Sequence, residues 1–352
     1  MQHGANPILG TAIHAIGGVS ASTCYLPFQK IETWSWGSYW LLQASFAWFI
    51  FPVIIGFLTV PELLLVFQRS SDLVIWSTFS LGIIYGFGGL SFGLAIKEIG
   101  YSLTYTISIG ISAILGTLIP LILKGTLMTE FAKPGGGVLL VGMFLSLIGI
   151  SLCGYAGHKK EQDLKSQALN KDNFNSKKGL ILTIVAGVLS AVFGISLSVG
   201  EPMAVLASEA GAGMFKGNAG LILSTGGAFL TNLIWFGYSG IKEGTIKELM
   251  PIRKGGNRIW FKNVLLSVLS GGLWYFQFFF YGLGHVNMGE FMFASWVIHM
   301  SMLVFFSFIV GLVLKEWEQV SRFTYLKLLI GLGILILSFI VMTIGSLLGN
   351  NN

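Results

Sequence analysis

Two of the five histidines, His14 and His299, lie near the middle of long apolar runs, where an ionisable side chain is costly. A histidine gains and loses a proton near neutral pH, and its imidazole also bonds hydroxyls. The structural alternative is a neutral ring bonded to a neighbouring hydroxyl or carbonyl. We predict that His299 carries a proton, that His14 is the second candidate, and that Glu290, one turn outside this site, is the third.

A second set of chemically capable residues follows a helical spacing. Trp274, Gln277 and Tyr281 recur at positions i, i+3 and i+7, which predicts one helix face. Sugars have apolar ring faces and a rim of hydroxyls, so aromatic rings and amides suit them. Aromatic packing alone explains Gln277 poorly, because a buried amide needs a partner. The stripe therefore predicts a sugar-binding face.

Two further groups extend this predicted site. Ser295 and Trp296 precede His299 in the next apolar run, on neighbouring positions. Tyr105 and Ser108 share a stripe of another run, although hydroxyls in membrane helices often bond their own backbone. We predict that Ser295, Tyr105 and Ser108 also contribute to substrate binding. The residues predicted to face one cavity at mid-membrane depth are Trp274, Gln277, Tyr281, Trp296 and His299.

Patterns that would indicate a soluble type of catalyst are missing from the sequence. It contains no glycine-rich phosphate loop, no paired-histidine metal motif and no cysteine ligand cluster. Cys24 and Cys153 both lie in apolar stretches and are interpreted as core residues. We expect no cofactor and no enzyme activity. A passive channel is a weaker alternative, because the polar residues cluster near mid-depth rather than along a continuous pore.

The elements that must position these residues are membrane helices. The chain is 54% hydrophobic and only 10% charged, whereas soluble domains contain about 25% charged residues. A spanning helix needs about 20 mostly apolar residues. Ten such segments are predicted, and the longest polar stretches between them are only loop-sized. The predicted helices cover 7–26, 38–58, 73–95, 101–123, 136–156, 179–199, 217–238, 262–284, 289–314 and 324–348.

Basic residues set the predicted orientation. The loops after odd-numbered helices hold 17 of the 21 Lys and Arg residues, and the other face holds four. Cytoplasmic loops carry an excess of Lys and Arg. Both termini are therefore predicted to be periplasmic, and the net charge of +6 is assigned to topology and not to a nucleic-acid partner.

The chain also repeats itself weakly. Residues 17–21 in helix 1 resemble 187–191 in helix 6, and a Gly-Leu pair before a later glycine recurs between helices 3–4 and 8–9. Two halves of five helices enter the membrane in opposite directions, which is typical of transporters. We predict an all-α polytopic fold with ten transmembrane helices as two inverted five-helix repeats, 1–157 and 179–352, joined by a cytoplasmic linker loop at 158–178.

The sequence resembles the L-rhamnose–proton symporter family of the drug/metabolite transporter superfamily. The likeness covers most of the chain and is carried by long aromatic-rich strings. These strings are 274–281 with Gly284-His285, 295–296 with 299–301, 311–317, and, near the start, His14, Tyr25, Pro27-Phe28, Lys30 and 34–36. The chain departs from the expected pattern at Glu201, where a lysine is expected, and at Glu290 and Met292, where a glutamine and an aspartate are expected.

This resemblance implies ten helices in inverted halves and uptake of a deoxy sugar, L-rhamnose or a relative, with a proton. The expected partners are the sugar, the proton and the lipid bilayer of the bacterial inner membrane. The alternative is an exporter or importer of another small metabolite on the same scaffold. The sequence leaves the oligomeric state open.

Overall fold

The computed structural model describes residues 5–99, 101–167, 176–251 and 256–350, and all regular structure in these ranges is helical. Ten long helices follow one another along the chain. They are α1 Pro7–Thr23, α2 Trp36–Thr59, α3 Asp72–Ile99, α4 Tyr101–Leu123, α5 Gly136–Gln167, α6 Ser176–Val199, α7 Asn218–Glu243, α8 Gly256–Asn287, α9 Ser295–Val313 and α10 Arg322–Asn350. Shorter helices at Leu63–Arg69, Leu127–Ala132 and Glu201–Glu209 and brief 3₁₀ turns connect them.

The helices match the ten predicted segments, with differences at their ends. Helix α1 stops at Thr23, and a 3₁₀ turn, Leu26–Lys30, follows it. Helix α5 continues through Gln167, so the predicted linker at 158–178 begins as helix; its residues 168–175 lie outside the described ranges. The ninth segment starts as a 3₁₀ turn, Gly289–Ala294, after which α9 is regular.

Nine stretches of the described residues are long and apolar enough to cross a membrane. Helix α1 has 17 residues, which places it at the lower limit of spanning length. A helix satisfies all its backbone hydrogen bonds internally, and lipid offers no replacement for them. The structure thus supports a polytopic membrane protein, while ten spans and inverted halves stay predictions.

Side chains are distributed as a bilayer requires. Large apolar residues such as Phe57, Phe144 and Ile234 are exposed, whereas many Ser and Thr side chains and several Asn and Gln side chains are buried. Soluble proteins avoid large contiguous apolar surfaces. The exposed surface is therefore suited to acyl chains, and the polar chemistry of the chain is directed inward.

The described chain forms two compact units, and α3, α6 and α8 each contribute to both. Unit 1 comprises Met1–Ser22, Gly88–Ile195 and Leu283–Asn352. In it, α5 and α10 pack through glycines: a methyl group added at Gly142 would meet Met342, and one at Gly149 would meet Leu335. Such close approach of backbones replaces the hydrophobic driving force that lipid does not provide.

Unit 2 comprises Thr23–Phe87 and Ser196–Gly282. Within it, α3 crosses α7 at Gly82 and Gly227, each of which lies against backbone of the other helix. The Ser196 hydroxyl donates to the Thr78 carbonyl at 2.8 Å and lies 2.7 Å from the Ser224 hydroxyl. The short helices Leu63–Arg69 and Glu201–Glu209 close one end around Val60 and Met203.

Candidate functional site

The two histidines predicted to handle a proton meet inside unit 1. The ring centroids of His14 and His299 are 5.8 Å apart, and both side chains are fully buried. They come from α1 and α9, two helices that no sequence pattern pairs directly. Two imidazoles in one buried position can bind a proton and exchange it with a hydroxyl partner. Two histidines that were predicted separately therefore form one pair in the structure.

A glycine at the end of α8 makes room for this pair. A methyl group added at Gly284 would lie 2.7–2.9 Å from three atoms of the His14 ring. Gly10 in turn lies close to Gly284, since a methyl group there would be 3.0 Å from the Gly284 carbonyl oxygen. His285 follows directly and adds a third imidazole to the same unit. The close approach of α1 to α8 thus fixes where the His14 ring lies.

Trp296 of α9 is held by two other helices of unit 1. Its indole N–H donates to the Ser112 carbonyl of α4 at 2.9 Å. The ring lies against Gly116 of α4 and Gly194 of α6, where any side chain would collide with it. Because its one polar atom already has a backbone partner, Trp296 presents an apolar ring surface and positions the first turn of α9.

The other predicted residues of unit 1 are buried at separate points. The Tyr105 hydroxyl is 3.1 Å from Ser307 Oγ of α9. Ser108 and Ser295 are also buried, and none of the described residues bonds to the Ser295 hydroxyl. Ser295 precedes His299 by one helical turn, so these two side chains are on the same side of α9.

Glu290 has a different environment. Its side chain is 58% exposed and pairs with Lys133 at 3.1 Å, and Lys133 also pairs with Glu130. The hydrogen bond to Glu130, with a further one to Glu290, raises the pKa of Lys133 above its usual value. The backbone N–H of Glu290 donates to Asn350 Oδ1 at 2.9 Å. Glu290 is placed in a surface ion-pair cluster.

The remaining predicted residues, Trp274, Gln277 and Tyr281, belong to unit 2 and are all buried. Trp274 contacts Phe278 on its own helix, with ring centroids 5.0 Å apart. It also meets Trp48 of α2 edge to face at 4.8 Å. The predicted helix face is thus part of an aromatic cluster. Since the predicted residues divide between two units, the single cavity expected from the sequence stays a prediction.

Sequence reasoning missed the contribution of α2 to this cluster. Trp48 packs on Trp274, and Gln43, a fully buried amide, lies one turn before it on the same helix. The available signal was the one used for Gln277, an amide inside an apolar run. In the described ranges, no group of three or more His, Cys, Asp or Glu side chains is arranged to hold a metal ion.

Comparisons with known proteins agree on one family. A family model described as L-rhamnose-proton symport protein matches residues 4–347. The chain is 33% identical to an L-rhamnose-proton symporter of Yersinia pestis (strain Pestoides F) over 342 residues, which is 96% of this chain and 98% of the relative. It is 32% identical to one of Pectobacterium atrosepticum over 346 residues, with 97% and 99% covered.

Proposed function

We propose, from the premise that this chain belongs to the L-rhamnose-proton symport protein family, that it takes up L-rhamnose or a related deoxy sugar together with a proton. The chain is a multi-pass inner-membrane protein and, as a member of a symporter family, a transporter rather than an enzyme. An exporter or importer of another metabolite is not favoured, since the relatives named above are all sugar–proton symporters.

The observation that carries the proton half of this proposal is the pair of His14 and His299. Two protonated rings 5.8 Å apart would repel by about 3 kcal/mol at an effective dielectric constant of about 20. The pair therefore holds one proton more readily than two. A single exchangeable proton in a buried position is what coupling to a gradient requires.

The aromatic face of α8 supports the sugar half. Trp274, Gln277 and Tyr281 offer ring surface, an amide and a hydroxyl from one helix. Ring faces stack on the apolar side of a pyranose, and the amide bonds its hydroxyls. In the deoxy sugar L-rhamnose a methyl group replaces the hydroxymethyl group of a hexose, so a site rich in aromatic rings and poor in charges matches it.

Sugar and proton must change each other's binding in a symporter, and this coupling is reciprocal. We place the coupling at His299, since it can hold the proton while bonding a hydroxyl directly or through Ser295. Alternating access by ten helices in two inverted halves, with both termini periplasmic, completes the proposal. In this arrangement α1 also crosses the membrane, in addition to the nine stretches of span length and composition in the described ranges.

Uptake measurements test the function directly. In vesicles energised by an inward proton gradient, radiolabelled L-rhamnose should accumulate, and dissipating the gradient should abolish accumulation. A panel of L-fucose, L-lyxose, D-mannose and an amino acid would define the range of cargo. Equal uptake with and without the gradient would contradict proton coupling, and accumulation of the amino acid alone would contradict sugar transport.

A further inference from the structure

Helix α2 contains one wide turn whose cause is visible in the sequence. Between Phe46 and Ile50 the helix is π-helical, and the Phe51 N–H donates to the Phe46 carbonyl, five residues back. Pro52 follows at the start of the regular segment. A proline lacks an N–H and its ring crowds the carbonyl four residues earlier, which here belongs to Trp48. Single π-helical turns occur frequently at functional sites.

Just before this turn lies an amide that no described residue satisfies. Gln43 is fully buried, and neither its Nε2 nor its Oε1 has a hydrogen-bond partner in the described ranges. Each buried polar group without a partner costs about 1–3 kcal/mol. Asn232 in the same unit shows the usual arrangement: its amide donates to the Ala228 carbonyl and accepts from the Trp40 indole N–H, both at 2.9 Å.

Trp48, on the wide turn itself, repeats this feature. Its side chain is buried, and its indole N–H has no partner among the described residues. The ring is nevertheless fixed, because it meets Trp274 at 4.8 Å and Trp40 at 6.1 Å, both edge to face. A donor is therefore held in one orientation by aromatic neighbours that cannot accept its proton as a carbonyl would.

The contacts of α2 place both residues along α8. The Tyr39 hydroxyl forms a hydrogen bond with the Ser270 hydroxyl. A methyl group added at Gly271 would lie 2.8 Å from the backbone carbonyl oxygen of Gln43. One turn farther along α8 comes Trp274, which contacts Trp48. Gln43 and Trp48 thus lie on the part of α2 that packs against the beginning of the proposed sugar-binding face of α8.

We propose that the Gln43 amide and the Trp48 indole N–H are further sugar-binding groups, which bond hydroxyls of the cargo next to the α8 face; this assignment rests on the proposed sugar transport. An amide donates to one hydroxyl and accepts from its neighbour, which suits a vicinal diol. The indole N–H supplies a second donor. Two buried groups that the protein leaves unsatisfied thereby gain partners when the sugar binds.

The test compares ligand-free stability with sugar affinity in the full-length protein reconstituted in nanodiscs. Gln43→Met keeps the size of the side chain and removes its polar atoms. If the amide waits for cargo, this variant melts at the same temperature as the wild type or higher, because an unsatisfied group is gone. Its affinity for L-rhamnose should fall about tenfold, the effect of losing hydrogen bonds to one ligand. Trp48→Phe should lower the affinity about fivefold while keeping a ring against Trp274.

Asn232→Leu is the matched control. It removes a buried amide whose bonds are complete, so it should lower the melting temperature and leave the affinity near that of the wild type. Wild-type affinity in Gln43→Met would overturn the assignment, as would an equal loss of affinity in Asn232→Leu, since the effect would then come from stability. A wild-type protein that binds none of the sugars overturns the proposed function itself, before any variant is considered.

Discussion

At the scale of single residues, the pair of His14 and His299 links the sequence to the transport chemistry. Each was predicted separately, because an ionisable side chain inside a membrane helix is costly and is therefore a functional candidate. Their contact at 5.8 Å means that a change in one ring alters the electrostatic environment of the other. We therefore propose that the transported proton is shared by the pair and not held by one ring alone.

The first prediction concerns His299. His299→Ala should abolish accumulation driven by a pH gradient, because the ring that binds both proton and hydroxyl is lost. His299→Gln keeps a hydrogen-bonding group without a titratable site, so it should retain sugar binding or exchange. Gradient-driven uptake and sugar affinity across pH measure the two properties separately.

His158→Gln serves as the control for this experiment, since His158 is half-buried on α5, where it contacts Gln162, and belongs to no proposed site. Normal accumulation by His299→Ala would remove His299 as the carrier and transfer the role to His14 or Glu290.

The second prediction uses the glycine that accommodates His14. Gly284→Ala places a methyl group 2.7–2.9 Å from the ring, so the imidazole must move, and coupled uptake should fall at least tenfold. Gly282→Ala is the control two residues earlier, where an added methyl group meets nothing within 4 Å. Equal uptake by the two variants would show that the position of the His14 ring is unimportant.

Sequence reasoning at this scale identified types of residue better than their partners. Gln277 was selected because a buried amide needs a partner, and Gln43 satisfies the same criterion but was overlooked. Gln43 becomes a candidate through the contact of nearby Trp48 with Trp274. That contact joins two parts of the chain that are far apart in sequence, so the sequence does not show it. Likewise the sequence did not show that the Trp296 N–H is occupied by the Ser112 carbonyl.

At the scale of helices, the glycines of α3 separate into two kinds that the sequence does not distinguish. Gly82, Gly86 and Gly93 lie mostly at helical spacing, and small residues at such a spacing are typical of close helix packing. A methyl group at Gly82 would collide with the Ser224 carbonyl, and one at Gly86 would meet Thr231 at 2.7 Å. At Gly93 it would meet none of the described residues within 4 Å. Of these three glycines, Gly82 and Gly86 are the ones in close contact with α7.

The third prediction follows from this difference. Gly82→Ala should destabilise the protein by about 1–3 kcal/mol, the usual cost of overpacking, because backbone carbonyls cannot move as side chains do. Gly93→Ala should be neutral or slightly stabilising, since alanine favours a helix over glycine by about 1 kcal/mol. Melting temperatures in detergent compare the two variants, and equal values would refute the packing role of Gly82.

Helix ends were harder to predict than helix centres. Apolar length predicted ten segments, nine of which have the length and composition of a membrane span in the described ranges. It did not predict the π-helical turn of α2 before Pro52, or the 3₁₀ turn before α9, which begins at Gly289 with a positive φ of 62°. Such local geometry depends on a single residue and on what packs around it. Hydropathy averaged over about 20 residues cannot resolve it.

At the scale of the whole molecule, composition predicted the class correctly: the structure has an apolar exterior and buried hydroxyls and amides. Nine helices have the length and composition of membrane spans in the described ranges, and α1 is the short one. The orientation rests on the distribution of 21 basic residues.

The fourth prediction tests that orientation. In a variant with Cys24→Ala and Cys153→Ala, both buried and free in the native protein, a cysteine at Asn350 should react with a membrane-impermeant maleimide in intact spheroplasts. A cysteine at Lys315 should react only after the membrane is opened. The reversed pattern would place both termini in the cytoplasm.

The contact between Gly284 and His14 has a mechanical consequence. Because α1 reaches α8 through Gly10 as well as through the imidazole, sliding either helix by one turn would require the ring to leave its place first. Helix α1 and the last turn of α8 are therefore expected to travel as one rigid body during transport. The imidazole of His14 would then be a fixed contact between the two helices.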